Sequence, residues 1–474
     1  MTLTEEQSHI ENTVLSTTDN IVAVAAVAGS GKTSLLSHIT HTMKPRSGLY
    51  LAYNKSIATE SKGRFPKQVQ CMTTHSLAYQ NTVRLLKLEV GFFTYRDIKE
   101  KIHYDQKLQV INYIENFCLS PYTSVDDYAI EASITKQLLT IVHSYLSKME
   151  AGSIPCTHSF YLKLYHILLA EGSIEHDTFD IIMLDEAGDL NPVTLEIFKL
   201  LPAIHKVMVG DQFQAIYVFN NCINGFEAID DLCLLPMTQS FRVSNTIAPL
   251  VEAFGQKHLT PSFKFRGVPY KDTSIDTRAY LTRTNGALIA KMIELDRLGI
   301  QYNLVRQPQQ IFKLLLVLIG LKPGKFVSPE HRHLQDSTDE YYHDEGLRRN
   351  YRTLFAYLGE KYSDDINLKS AITTLGRYGA TSIMSAYESA REHVGTHHPL
   401  TLATAHSSKG MEWDHVEIAE DFNTAIDRVL AIDEDLDEEQ MSELRLYYVG
   451  CTRAKKQLLG ARHLTPLKDT TCQN

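Results

Sequence analysis

Five consecutive residues, Gly29, Ser30, Gly31, Lys32 and Thr33, carry the clearest chemistry in the chain. The bare backbone N–H groups of a glycine loop that feeds a helix N-terminus make a cradle for phosphate oxygens. In such a cradle Lys32 reaches the outer phosphates of a nucleoside triphosphate and the Thr33 hydroxyl ligates Mg²⁺. The usual first glycine is Ala26 here, a mild change because alanine still packs closely. A phosphate cradle needs a second, acidic station, and MLDEAGD at 183–189 supplies one. Asp185 can hold the metal, and Glu186 can orient or deprotonate water. Such a pair can also be a solvated strand end, and the glycine loop upstream is what favours the chemical reading. In VGDQFQAIYVFN, at 209–220, Gln214 can hydrogen-bond a γ-phosphate. Tyr217 and Phe219 share one side of an extended segment, as core or as stacking platforms for bases, worth roughly 1–3 kcal/mol per base.

These residues need a sheet to hold them. An apolar run, 21–28, reads as a buried strand, the loop Ala28–Ser34 follows, and a helix begins at Ser34. Thr4 and Gln7 have capping-box spacing for a short helix ahead of it. Strands are expected at 48–53, 69–73, 179–184, 207–209, 278–282, 400–404 and 416–419, with helical segments among them. Alternating strand and helix implies parallel, doubly wound sheets whose ligands gather at the carboxyl ends of the strands. Two stretches are mostly helical, and the polar, His-rich 328–346 reads as an exposed loop.

Composition sets the limits. A chain of 474 residues is too long for one core. A net charge of −9 argues against a generally basic nucleic-acid coat protein, but it leaves room for a local groove. Seven scattered cysteines without metal-ligand spacing suit a reducing compartment, cytoplasmic or, in a eukaryote, nuclear. The polar N-terminus is unlike a signal peptide, and the apolar runs are too short to span a bilayer, so no membrane role is expected. The acidic run 433–439 reads as a solvated loop and helix start.

The ordered series LTEEQ, AGSGKT, LAYNKSIA, TTHSLAY, DEAGD, GDQFQAIYVF, QSFRVSNTI, LTRTN, TLATAHSSKGMEW and LRLYYVGCTRAKKQL resembles the UvrD/Rep-like superfamily 1 DNA helicases. YNKSIA, THSLAY and PCTHSFYLKLYHIL are most similar to the F-box DNA helicase branch, with no F-box expected ahead of them. The resemblance covers nearly the whole chain except the two helical stretches. It implies an α/β fold of two RecA-like, doubly wound parallel-sheet cores of the P-loop NTPase type, each with a mostly helical insertion. The first core takes 1–80 and 177–235, with its insertion at 81–176. The second takes 236–300 and 397–474, with its insertion at 301–396.

The resemblance implies ATP and Mg²⁺ as cofactors. Gln7 matches the glutamine that reads adenine and Phe241 the aromatic that stacks on it. Lys32, Thr33, Asp185, Glu186 and Gln214 match the phosphate, metal, base and sensor positions. Arg242 and Arg453 match two arginines that reach the γ-phosphate from the second core, and Glu412 an acid near the ribose and phosphates. Arginines of this kind are worth roughly 10³–10⁵ in rate. For single-stranded DNA the matching positions are Tyr53, Asn54, Thr74, His75, Tyr217, Phe219, Arg283, Asn285 and His406. His406 also reads as a buried histidine, and Arg453 as a surface charge.

Gly188 stands where the family has a glutamine that couples nucleotide to DNA, Asn220 where an arginine is common, and Val27 where a glycine or alanine is frequent. The expected activity is ATP-driven movement along single-stranded DNA, 3′ to 5′, with unwinding at single-strand/duplex junctions. Two alternatives stay open. One is a DNA-stimulated translocase that displaces proteins or serves a partner, such as a repair or replication factor or the nuclease of a phage-defence complex. The other is a nucleotide-dependent switch, which Gly188 keeps alive.

Overall fold

The computed structural model describes residues 2–17, 21–216, 222–230, 232–269, 276–325, 327–345 and 351–465. The chain divides into two compact units, Met1–Gln239 and Ser240–Asn474.

The first unit is built on six strands: β1 (Val22–Ala26), β2 (Gly48–Ala52), β3 (Val69–Thr73), β4 (Phe179–Leu184), β5 (Ala203–Gly210) and β6 (Cys233–Met237). Their order is β3-β2-β4-β5-β1-β6, and every pairing is parallel. A parallel sheet needs helical crossovers that cover both faces, so its strands read as apolar runs. The side chains of β4 divide by the period of two. Ile182 and Leu184 enter the core on one face, and Ile181 and Met183 the core on the other. On the first face lie the helices Tyr104–Leu119, Lys136–Glu150 and His158–Ala170. Leu138, Ile141, Val142, Tyr145, Leu146 and Met149 make the buried stripe of the second, at helical spacing. The strand β6 crosses the expected 235/236 boundary and pairs with β1, so it belongs to this sheet.

The second unit holds a short pair, β7 (Gln239–Ser244) and β8 (Arg266–Val268), and a five-stranded sheet. That sheet comprises β9 (Arg278–Thr282), β10 (Asn303–Leu304), β11 (Leu400–Thr404), β12 (Trp413–Ile418) and β13 (Ala454–Leu459). Its order is β10-β11-β9-β12-β13, again parallel throughout. A helical core packs around Asn285–Leu298 and Ile366–Ala390, the latter broken at Gly379, where φ is 74°.

The stretch expected as an exposed loop at 328–346 is instead mostly helical, with a helix at Arg332–Glu345. Leu334, Thr338 and Tyr341, spaced four and three apart, bury one stripe, and the polar remainder that suggested a loop is its other face. No described helix is long and apolar enough to cross a membrane.

Candidate active site

Because all six strands of the first sheet are parallel, their carboxyl ends share one edge, and the described candidate residues of this unit other than Gln7 follow those ends. The phosphate loop follows β1. Gly29 and Gly31 take φ of 72° and 81°, a region open to glycine and strained for side chains. The helix Lys32–Met43 then starts from Gly31 with no side-chain cap and no acid in its first turn. Its leading N–H groups are therefore not claimed by a capping side chain. Ala28 and Ser30 are buried, and the Ser30 Oγ finds no hydrogen-bond partner among the described residues. A loop of this shape, with an orphaned buried hydroxyl and an acid-free helix start, fits a triphosphate.

Asp185 directly follows β4 and is only 3% exposed. Its Oδ1 accepts the Glu186 backbone N–H at 2.9 Å, and its Oδ2 accepts the Tyr50 hydroxyl. Burial, reinforced by the Glu186 charge, pushes the Asp185 carboxyl above the ordinary carboxylate range, while Lys32 and Tyr50 oppose the shift. The Tyr50 hydroxyl also faces Thr33, so the two candidate metal ligands converge on one phenol. A carboxylate and a hydroxyl as the protein's share suit Mg²⁺, which keeps most of its other ligands from water and substrate. The Lys32 Nζ stands 3.9 Å from Glu186 Oε1. Glu186 itself has a φ of 56°, a costly conformation for a non-glycine residue that aims its carboxylate toward the loop's lysine.

Gly188 has a packing explanation. A Cβ there would stand 2.3 Å from the Asp211 carbonyl oxygen, and one at Gly210 would stand 2.6 Å from the Ala187 nitrogen. The turns after β4 and β5 interlock backbone to backbone, leaving no room for a glutamine side chain. Within that contact the Gln214 Nε2 donates to Asp211 Oδ2 at 2.8 Å. Gln7 shares a capping box with Thr4, and its Nε2 donates to the Ser30 carbonyl at 3.5 Å.

The expected DNA residues of this unit follow β2 and β3. Tyr53 is 46% exposed. The Asn54 Oδ1 caps the next helix by accepting the Ile57 N–H at 2.9 Å. Thr74 is buried at the start of its helix, and the His75 ring meets Tyr161 edge-on at 6.0 Å. Burial, then the nearby His158, holds His75 below the usual imidazole range. Tyr217, Phe219 and Asn220 lie outside the described residues.

The second unit separates its candidates by sheet edge. Glu412 and Arg453 immediately precede β12 and β13, at the amino ends, where the Trp413 N–H donates to the Arg453 carbonyl at 3.0 Å. The Arg242 Nε donates to Glu412 Oε2 at 2.7 Å, so Glu412 pairs directly with the arginine. The Arg453 guanidinium is buried, donating from Nε to the Val449 carbonyl at 2.9 Å and from Nη1 to the Met411 carbonyl at 3.3 Å. It is thus not a surface charge. Phe241, beside Arg242, is 48% exposed.

Arg283, Asn285 and His406 follow the carboxyl ends of β9 and β11. The Arg283 Nε donates to Glu443 Oε2 at 2.7 Å. The Asn285 Oδ1 is buried with no hydrogen-bond partner among the described residues. His406 is pushed down to about 3 by burial, then by Arg283 and Arg306.

Sequence reading passed over Tyr50 and Glu443. A tyrosine inside a buried parallel strand is a signal for the first, because its hydroxyl must find a polar partner. Glu443 lies far along the chain from Arg283, and nothing in the spacing joins them.

Two family models match the chain. An AAA domain covers residues 10–220, and a UvrD-like helicase C-terminal domain covers 330–462. The chain is similar to F-box DNA helicase protein 1 of Schizosaccharomyces pombe, 25% identical over 549 residues, 99% of this chain and 58% of that protein. It is similar to F-box DNA helicase 1 of Gallus gallus, 25% identical over 523 residues, 98% of this chain and 49% of that protein. The chain therefore spans about half the length of the curated relatives it matches.

Proposed function

We propose, for a chain that belongs to the UvrD-like superfamily 1 helicases, that it is an ATP-dependent motor on single-stranded DNA with helicase activity, moving 3′ to 5′. The observation that supports this best is the phosphate loop of the first unit, with Lys32 beside Glu186 and Thr33 sharing Tyr50 with Asp185. Mg²⁺ bound there with ATP would supply positive charge against the charge that develops on the phosphates. The protein's own part is positional. The loop N–H groups and Lys32 hold the phosphates. Thr33 and Asp185 would hold the metal, with Tyr50 fixing the carboxylate. Glu186 orients the attacking water and accepts its proton.

In this reading Arg242 and Arg453 stabilise charge on the transferred phosphoryl group. Tyr53, Asn54, Thr74, His75, Arg283, Asn285 and His406 grip the strand. A partner protein, a nuclease or a repair or replication factor, is compatible with this activity.

Strand displacement on 3′-tailed and 5′-tailed duplexes tests the proposal. ATP-dependent displacement of the 3′-tailed substrate is expected. DNA-stimulated ATPase without displacement would instead favour a translocase that clears or serves other proteins.

A further inference from the structure

Three cationic side chains of the second unit, Lys369, Arg377 and Arg428, line one hollow of about 360 Å³. None makes an ion pair among the described residues, whereas Arg242, Arg283, Arg445 and Arg462 all pair with carboxylates. Unpaired cations gathered in one place are notable in a chain whose net charge is −9. The acid in the hollow, Asp421, is already engaged. It accepts the backbone N–H groups of Arg283 and Thr284 at 3.2 and 2.9 Å and the Thr284 hydroxyl at 2.9 Å. Tyr378 adds an aromatic wall, and two guanidinium groups stand over its ring, Arg377 at 5.2 Å and Arg297 at 5.5 Å. Thr284, which lines the hollow, sits between Arg283 and Asn285, the two residues expected to meet DNA.

We infer that this hollow is an additional DNA contact, taking backbone phosphates of the strand as it passes Arg283 and Asn285. The inference rests on the proposed DNA motor activity. Lys369, Arg377 and Arg428 supply charge without base readout, so the contact is independent of sequence.

The test is fluorescence anisotropy of single-stranded and 3′-tailed oligonucleotides at several salt concentrations, for the full chain and for Lys369→Glu/Arg428→Glu. The double variant should bind roughly tenfold more weakly at fixed salt, and its log-affinity slope against log salt should fall by about two. ATPase without DNA and thermal stability should stay unchanged. Lys369→Gln/Arg428→Gln, which adds no acid, should show the same slope change and guards against misfolding of the first variant. Unchanged affinity and slope in both variants would overturn the inference while leaving the motor reading intact. A wild-type chain that binds neither oligonucleotide would overturn both. If inorganic phosphate raises the wild-type melting temperature, and the variants lose that shift but keep full DNA affinity, the hollow is a site for free phosphate and the inference fails.

Discussion

The two units hold their candidate residues by different means. In the first, backbone geometry does the positioning. Gly29, Gly31 and Glu186 take positive φ, Gly188 and Gly210 interlock with the facing turn, and the described candidate residues other than Gln7 follow carboxyl ends of parallel strands. In the second, hydrogen bonds from the arginine side chains do it. Arg242 is held by Glu412, Arg283 by Glu443, and Arg453 by the carbonyls of Val449 and Met411. That sheet also splits its residues, with Glu412 and Arg453 at the amino edge and Arg283, Asn285 and His406 at the carboxyl edge. A site set by backbone is already shaped for its ligand, whereas the guanidinium groups of Arg242 and Arg283, held by carboxylates, can exchange partners.

The sharpest way to test that contrast compares the two arginines of the second unit. Arg242→Ala should lower ATP turnover by about 10³ or more while leaving the melting temperature near wild type, as expected for a group acting on the transferred phosphoryl. Arg453→Ala should lose comparable turnover and also melt earlier, because two backbone carbonyls lose their donor. Equal melting curves for the two variants would contradict the structural part given to Arg453. In the first unit, Lys32→Ala should cut turnover by roughly 10²–10³ with the fold intact.

Gly188→Gln comes next in size. A glutamine there should destabilise the first unit by about 1–3 kcal/mol, because the new Cβ meets the Asp211 carbonyl. Chemical denaturation measures this, and a stabilised variant would show that the two turns can separate. Glu443→Gln should weaken single-stranded DNA binding only several-fold, through loss of the charge that orients Arg283.

The smallest expected effect is a response to acid. Burial pushes His166 in the first unit and His258 in the second down to about 4, and His406 to about 3. Each stays neutral when folded, while in the unfolded chain it takes a proton near its ordinary 6.5. This contribution is therefore fully present above pH 6.5 and is lost as the pH falls from there toward 4. Melting temperature should drop across that window, and His166→Gln should flatten the drop.

How much of this the sequence reveals follows the same division. Loop, strand and acidic station in the first unit are legible because local rules set them: glycine for positive φ, an apolar run for a buried strand, carboxylates at its end. The strands Val69–Thr73, Phe179–Leu184, Arg278–Thr282 and Leu400–Thr404 stand where the sequence places them. The helix Arg332–Glu345 is hidden because its polar composition masks a narrow buried stripe. The partnerships Arg242–Glu412, Arg283–Glu443 and Tyr50–Asp185 span 135 to 170 positions. Only the folded sheets bring them together.

A DNA motor and a nucleotide-dependent switch part on one quantity, the steady-state rate of ATP hydrolysis with Mg²⁺, with and without single-stranded DNA, for the wild-type chain beside Lys32→Ala. A motor gives low hydrolysis alone, strong stimulation by the oligonucleotide, and neither in the variant. A wild-type rate that single-stranded DNA leaves unchanged would contradict it and point to a nucleotide-dependent switch.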